Sequence, residues 1–588
     1  MDDTREKEVG TREERKSCEE DVCLLEEFYS DNDHTILPPT SDFGVGEDSP
    51  KSRGRIDILC LPDLLRQFWG IFTSILLAIF DAVVPSFIPR WGALGKEQAV
   101  GRKHSATAYL DGLRGVATII VYFVHFIINW FPVLRNRYGA TPGDTFFLQL
   151  PIIRVFLSGR AAVASFFVIS GYALSYSALT KIHKGQKTEA FGTLASSSFR
   201  RCMRLYLPCA ADTFICMLLS YYGFFTHDPP HWNTIPPQLP TFSAQLADWW
   251  DHQKNLMYPF NFVEGAPYSP PYNGHLWTIP LEIRGSWVTY GTVLASANLT
   301  PAWRLVFFIG WDSYLWYMGK WDLFLFSLVP ASNVPEGQAC LPTEEPTVIE
   351  LSTHSPDEES PWSSVSELKH HRSNQLLNIL TPIVNTLIAI WPYFLFLIAM
   401  YLLSFEHVPW GVDFLLSWTP HYWDRMNPAN GQRPQAWRCI GAALLAYSLS
   451  LSARPSPPAS SLQSSPSSPS PSSIFQRFTT RIRSFHLQWL FTNSVSRYLG
   501  RISFGLYLMH GPVLFCFGTK LLVPAWAAYD AEMPNPDVGK YMRAFLWAAV
   551  CNTCLVIWAG DVFTRAVDER SVRLAARMAK FMEGKKVG

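Results

Sequence analysis

Apolar residues in this chain gather into long unbroken runs instead of alternating with polar ones. The clearest run is GVATIIVYFVHFIINWFPVL at 115–134. At a 1.5 Å rise per residue, a helix of that length covers a hydrocarbon layer of about 30 Å. Further runs lie at 161–179, 205–225, 286–310 (two shorter pieces around Pro301 and Arg304), 320–334, 376–404, 408–418, 437–452, 502–528 and 544–560. An earlier one at 68–88 is interrupted by Asp81 and closed by Pro85 and Pro89, so it reads equally as a span or as an interfacial or re-entrant helix. A buried helix of a soluble domain could imitate one such run, but not this many. The pattern predicts an all-α, polytopic transmembrane helical bundle with about nine to eleven membrane segments.

Polar stretches divide the apolar ones. Residues 1–60 are expected to be a disordered polar tail, because their charge leaves little to bury, and 61–104 a juxtamembrane or re-entrant segment. The bundle is placed at 105–568. It is interrupted by an acidic insert at 335–373 and by Ser/Pro low-complexity sequence at 453–473, which has no means of packing a core. A basic tail follows at 569–588.

Composition agrees with a membrane protein. Charged residues make up 17% of the chain, against about 25% in an ordinary soluble domain. Lys plus Arg and Asp plus Glu both number 49, giving a net charge of zero, so nothing points to a nucleic-acid partner. The 11 cysteines show no zinc-binding spacing; Cys551 and Cys554 sit in an apolar run and read as helix filler. The charged N-terminus has no apolar stretch behind it and is not expected to be a secretory signal. Lys181, Lys184 and Lys187, then Arg200, Arg201 and Arg204, place the loop before 205 in the cytoplasm, in an endoplasmic reticulum or plasma membrane protein. The Asn298-Leu-Thr300 sequon suggests lumenal exposure of its own loop.

Ionisable residues inside the apolar runs are the candidate chemistry. Arg114 and His125 lie eleven positions apart, about 20° past three helical turns, on one face and about 16.5 Å apart along the axis. Asp111 and Asn129 extend that stripe by a turn at each end. A histidine at that depth must face the bundle interior and have partners. A structural histidine is the plain reading, and the flanking stripe points towards a reaction site. His510 also lies in an apolar helix, beside Gly511-Pro512, which should break or kink the chain. In NGHLWTIPLEIRGSW, Glu282 enters an apolar segment seven residues after His275, with Arg284 as a neighbouring ion-pair candidate. Glu282 reads equally as a helix cap or a functional carboxylate. Ser170-Gly171 in FFVISGYALS reads as a packing surface or a hydrogen bond to substrate, since no nucleophile elbow surrounds it. Arg200, Arg201 and Arg204 read as headgroup anchors or as a site for a phosphorylated co-substrate.

Taken in order, LDGLRGVATIIVYFVHF, FFVISGYALS, RRCMRLYLP, HLWTIPLE and ISFGLYLMHGPV resemble the motifs of the acyltransferase 3 family of polytopic membrane acyltransferases, and fungal members in particular. The likeness runs from about 109 to 563. It implies transfer of an acyl group, commonly acetyl from acetyl-CoA or another acyl-CoA co-substrate, to a hydroxyl of a small secondary metabolite. It implies catalytic roles for Arg114, His125, Glu282 and His510 and coenzyme A contacts from Arg200, Arg201 and Arg204; beside them, Ser170 and His275 are the candidates for orienting the substrate. No tightly bound cofactor and no metal is expected. The expected partners are the lipid bilayer, acyl-CoA and a small-molecule acceptor.

The chemistry fits the residues. Histidine suits the removal of a hydroxyl proton near neutral pH, arginine or histidine can stabilise a thioester oxyanion, and a bundle interior keeps water from the thioester. A proton-coupled transporter or acyl-group carrier would also place His, Arg and Glu inside a bundle. It would show inverted repeats, which this sequence lacks.

Overall fold

The computed structural model describes residues 84–86, 107–226, 235–263, 266–328, 384, 386–405, 413–425, 433–452, 486–533 and 535–584. The expected tail at 1–60, nearly all of 61–104 with the run at 68–88, and the inserts at 335–373 and 453–473 lie outside them.

The fold is all-α, with a two-residue ladder between Phe262–Val263 and Ala266–Pro267 as its sole strand pairing among the described residues. Helix α1 spans Ala108–Trp130 and ends where Pro132 begins a tighter turn, because a proline disfavours helical geometry at the residue before it. Helix α2 covers Gly159–His183 and α3 covers Lys187–Tyr221. The arginine cluster was expected to precede a span starting at 205. It lies instead within α3, a single 35-residue helix that continues through Pro208. After α4 (Phe242–Met257), the apolar run around 286–310 resolves into α5 (Thr278–Ser296) and α6 (Pro301–Tyr317). Pro301 opens α6 at the position where a missing N–H costs nothing. Helices α7 (Trp321–Ser327), α8 (Thr386–Leu403) and α9 (Arg433–Leu451) follow.

The expected break at Gly511-Pro512 does not occur. Helix α10 (Ser494–Val513) passes through it and joins α11 (Thr519–Ala531) across a π-helical turn at Leu514–Gly518. Pro512 cannot donate to the carbonyl four residues back, and that carbonyl, on Leu508, accepts instead from Asn273 Nδ2 at 3.0 Å. Helix α12 (Val538–Phe563) continues through a second π-helical turn at Thr564–Asp568 into α13 (Glu569–Met582), which lies along α3.

Six helical segments among the described residues are long and apolar enough to cross a membrane: 108–130, 159–183, 187–221, 386–403, 494–531 and 538–582. Exposed Leu387, Ile388, Trp391 and Phe394 on α8, and Leu546, Trp547 and Val550 on α12, give these helices an apolar outer face. The chain is a multi-pass integral membrane protein. Lipid is as apolar as leucine, so helix association rests on close fit. Helices α1 and α10 cross at glycines: a Cβ on Gly115 would lie 2.4 Å from the Gly500 nitrogen, and one on Gly500 would lie 2.3 Å from the Asp111 carbonyl. Around that crossing, Leu113, Phe167, Phe326 and Leu445 form one core, and Tyr122, Phe126, Leu506 and Val556 a second.

One topology signal is corrected. Lys187 Nζ donates to Asn298 Oδ1 at 3.2 Å, so the sequon lies at the same end as the basic loop and cannot mark the opposite side. The lysines and arginines keep the orientation argument, since loop charge acts directly on insertion.

Candidate active site

Three elements converge on one cluster of imidazoles. Helix α1 supplies His125, the short 3₁₀ turn Gly274–Trp277 supplies His275, and α10 supplies His510. Ring centroids are 4.2 Å apart for His125 and His275, 4.3 Å for His275 and His510, and 5.5 Å for His125 and His510. Gly511 makes the approach possible, because a Cβ there would lie 2.8 Å from His275 Nδ1 and 3.0 Å from Asn273 Oδ1.

Hydrogen bonds fix two of the rings. The Asn273 amide donates to Asp212 Oδ2 at 2.8 Å and to the Leu508 carbonyl at 3.0 Å. Its oxygen therefore faces His275 Nδ1, 3.1 Å away, and that nitrogen is the donor. The Nε2 of His275 is left with its lone pair. Burial holds the His275 imidazole well below the usual histidine range, with His125 and His510 adding to the effect, so the ring is neutral and able to accept. His510 Nδ1 donates to the Tyr507 carbonyl at 2.5 Å, which leaves its Nε2 with a lone pair. That Nε2 is buried and has no hydrogen-bond partner among the described residues. The Tyr507 hydroxyl meets Thr278 Oγ1 at 2.7 Å and donates to the His275 carbonyl, tying α10 to the start of α5.

A second polar layer lies towards the basic loop. Arg201 Nη2 donates to Glu282 Oε2 at 2.6 Å and to Ser170 Oγ at 3.5 Å, and its Nε donates to Ser286 Oγ at 3.1 Å. Glu282 thus meets Arg201 instead of a histidine, and Arg284 turns away to Asp322 with Nε to Oδ2 at 3.1 Å. Arg114 faces Asp111 at 3.5 Å. Asp568 is buried without a hydrogen bond to either oxygen among the described residues, within electrostatic reach of Arg204 and Arg114. Arg114 and His125 thus mark the two layers on α1, about 16.5 Å apart along its axis.

The structure therefore brings His125, His275 and His510 together, and separately joins Glu282, Arg201 and Ser170. Reading the sequence did not find Asn273, Asp212, Tyr507 or Asp568. Asp212 carried the strongest signal, an acid in the middle of an apolar run, which is costly without a partner.

Residues 107–333 match a family model described as an acyltransferase domain, Acyl_transf_3. The chain is 28% identical to the O-acetyltransferase PaAT-1 of Phomopsis amygdali over 491 residues, covering 80% of this chain and 84% of that protein. It is 28% identical to the acyltransferase clz18 of Cochliobolus lunatus, over 34% of this chain and 51% of that protein. It is 26% identical to the acyltransferase R4 of a Phoma species, over 35% and 52%. No solved structure matches.

Proposed function

We propose that the chain is a member of the acyltransferase 3 family, whose model its residues 107–333 match, and that it transfers an acetyl group from acetyl-CoA to a hydroxyl of a small secondary metabolite within the bilayer. The observation that carries the reading is the convergence of His125, His275 and His510 from three distant parts of the chain. The relative in Phomopsis amygdali is an O-acetyltransferase by name, which supports acetyl as the transferred group.

His125 takes the proton from the acceptor hydroxyl as its oxygen attacks the thioester carbonyl. The tetrahedral oxyanion collapses with cleavage of the carbon–sulfur bond. The leaving coenzyme A thiolate then recovers the proton from His125. The Nδ1 protons of His275 and His510 are committed to Asn273 and Tyr507, and the two rings form the wall against which the acceptor hydroxyl, its single proton directed to His125, is positioned. Acid–base assistance of this kind is worth about 10²–10⁴ in rate.

Arg200, Arg201 and Arg204 supply positive charge for the coenzyme A phosphates at the basic-loop end, with Arg114 beside them. Glu282 fixes Arg201 by an ion pair, and Ser170 shares that arginine. The roughly 16.5 Å between Arg114 and His125 suits an extended pantetheine arm that anchors its phosphates in one layer and presents its thioester in the other. Ser170 touches the arginine and not the histidines, which favours direct transfer over an acyl-serine intermediate.

Comparing metabolite extracts with and without the gene tests this reading. A product heavier by one acetyl group, lost when the gene is deleted, is expected. Accumulation of an unmodified compound on one side of the membrane would favour transport instead. A longer added chain would overturn acetyl while leaving acyl transfer intact.

A further inference from the structure

We infer that His125, His275 and His510 form a binding site for a divalent transition-metal cation, with Zn²⁺ the best-matched ion, and that the cation competes with acyl transfer. Each residue offers a ring nitrogen, and these atoms lie within 4.8 Å of one another. Three imidazoles with no fourth protein ligand among the described residues are a donor set of the kind that holds zinc with an open position. Neutral imidazole suits Zn²⁺, Cu²⁺ and Ni²⁺, whereas Mg²⁺ and Ca²⁺ prefer oxygen ligands.

The hydrogen bonds around the cluster are those that metal-binding histidines use. Such residues donate their second ring N–H to a carbonyl or carboxylate, which fixes the tautomer and aims the lone pair. His510 does so to the Tyr507 carbonyl, and His275 to the Asn273 amide oxygen. Asn273 is itself held by the Asp212 carboxylate and by the Leu508 carbonyl that Pro512 leaves open. A lone pair on a buried nitrogen needs a hydrogen-bond donor or a cation, and His510 Nε2 has neither among the described residues. Among the described residues His125 makes ring contacts with the other two histidines and no hydrogen bond, so its ring can turn. A tetrahedral shell with Zn–N of about 2.0–2.1 Å sets its nitrogens roughly 3.4 Å apart, so closing on the ion asks for movements on the order of 1 Å.

Binding stands on this geometry alone; only its inhibitory consequence rests on the proposed transferase reading. A cation here takes the His125 lone pair that would accept the acceptor proton, so the zinc-loaded protein should be inactive until a chelator removes the ion.

The experiment uses the full chain, purified in detergent through a tag free of histidine, stripped with chelator and desalted after exposure to Zn²⁺ or Co²⁺. One equivalent of zinc per chain is expected, with the visible absorption of tetrahedral Co²⁺. Both signals should fall at least tenfold in H510Q and in H125Q. The second variant keeps the test sound if H510Q fails to fold, since His125 holds no hydrogen bond in the framework. Failure of the folded wild-type chain to retain zinc overturns the inference. Equal retention by wild type and H125Q also overturns it, because the ion would then be elsewhere. Zinc retained at these residues without loss of turnover overturns the competition. Turnover measured in chelator is independent of all these outcomes and reports on the transferase reading by itself.

Discussion

Replacing Gly511 with alanine should damage the reaction far more than the fold. The new Cβ would stand 2.8 Å from His275 Nδ1 and 3.0 Å from Asn273 Oδ1, whereas ordinary contact begins at 3.4 Å. Relief requires a displacement of about 0.6 Å by the His275 and Asn273 side chains, and the hydrogen bonds that hold Asn273 resist it. The glycine lies on α10, and the two side chains on a short turn tied to it by the Asn273–Leu508 and Tyr507–His275 hydrogen bonds. Overpacking of this kind costs about 1–3 kcal/mol of stability. A misplacement of about 1 Å in an active site can cost 10²-fold in rate, so the smaller shift here should lower kcat by roughly ten- to a hundredfold. Once the acceptor has been fixed by the extract comparison, initial rates for purified G511A and wild type read this directly. The KM for the acyl donor should hold, because the donor layer lies elsewhere. G291A is the control, since among the described residues nothing lies within 4 Å of a Cβ at that helical glycine. A G511A enzyme with the wild-type rate, or an equal fall in G291A, would refute the claim that His275 must stand where it does.

The donor layer gives further expectations. R204A should raise the KM for acyl-CoA with kcat at saturating donor retained, and an unchanged KM would leave that arginine only an anchoring role. E282L leaves Arg201 without its charged partner and should destabilise the protein by about 3–5 kcal/mol, read as a fall in Tm in detergent. The double variant R201M/E282L should recover most of that loss, and its failure to do so would remove the ion pair as the cause. G500L should block the α1–α10 crossing and abolish recovery of folded protein, whereas the same change at Gly310, where a Cβ meets open space, should be tolerated.

Much of this architecture is legible in the chain, because a membrane span announces itself by length and apolarity alone. The division at Pro301, the ionisable stripe of α1 and the placement of both His125 and His510 inside apolar helices can be read without coordinates. What cannot be read is partnership between distant elements. Glu282 and Arg284 are near neighbours in the chain, yet they pair with Arg201 and Asp322 across helix contacts that no local spacing encodes. His275 gives no local sign that it meets two other histidines, since it enters from a loop. Pro512 illustrates the same limit. Its missing N–H suggests a break, but the freed carbonyl of Leu508 becomes the anchor for Asn273 and the helix continues. The long α3 hides its character for a related reason: its arginines look like a membrane border, while Arg201 finds its counter-charge inside the bundle.

The central claim is that the three-histidine centre performs the transfer with His125 as the base, and H125A tests it most directly. Initial rates should be measured with the identified acceptor, in chelator, beside acyl-CoA binding by the same preparation. The account predicts a folded protein with donor affinity near wild type and turnover lower by about 10²–10⁴. A folded H125A enzyme turning over at the wild-type rate would contradict it.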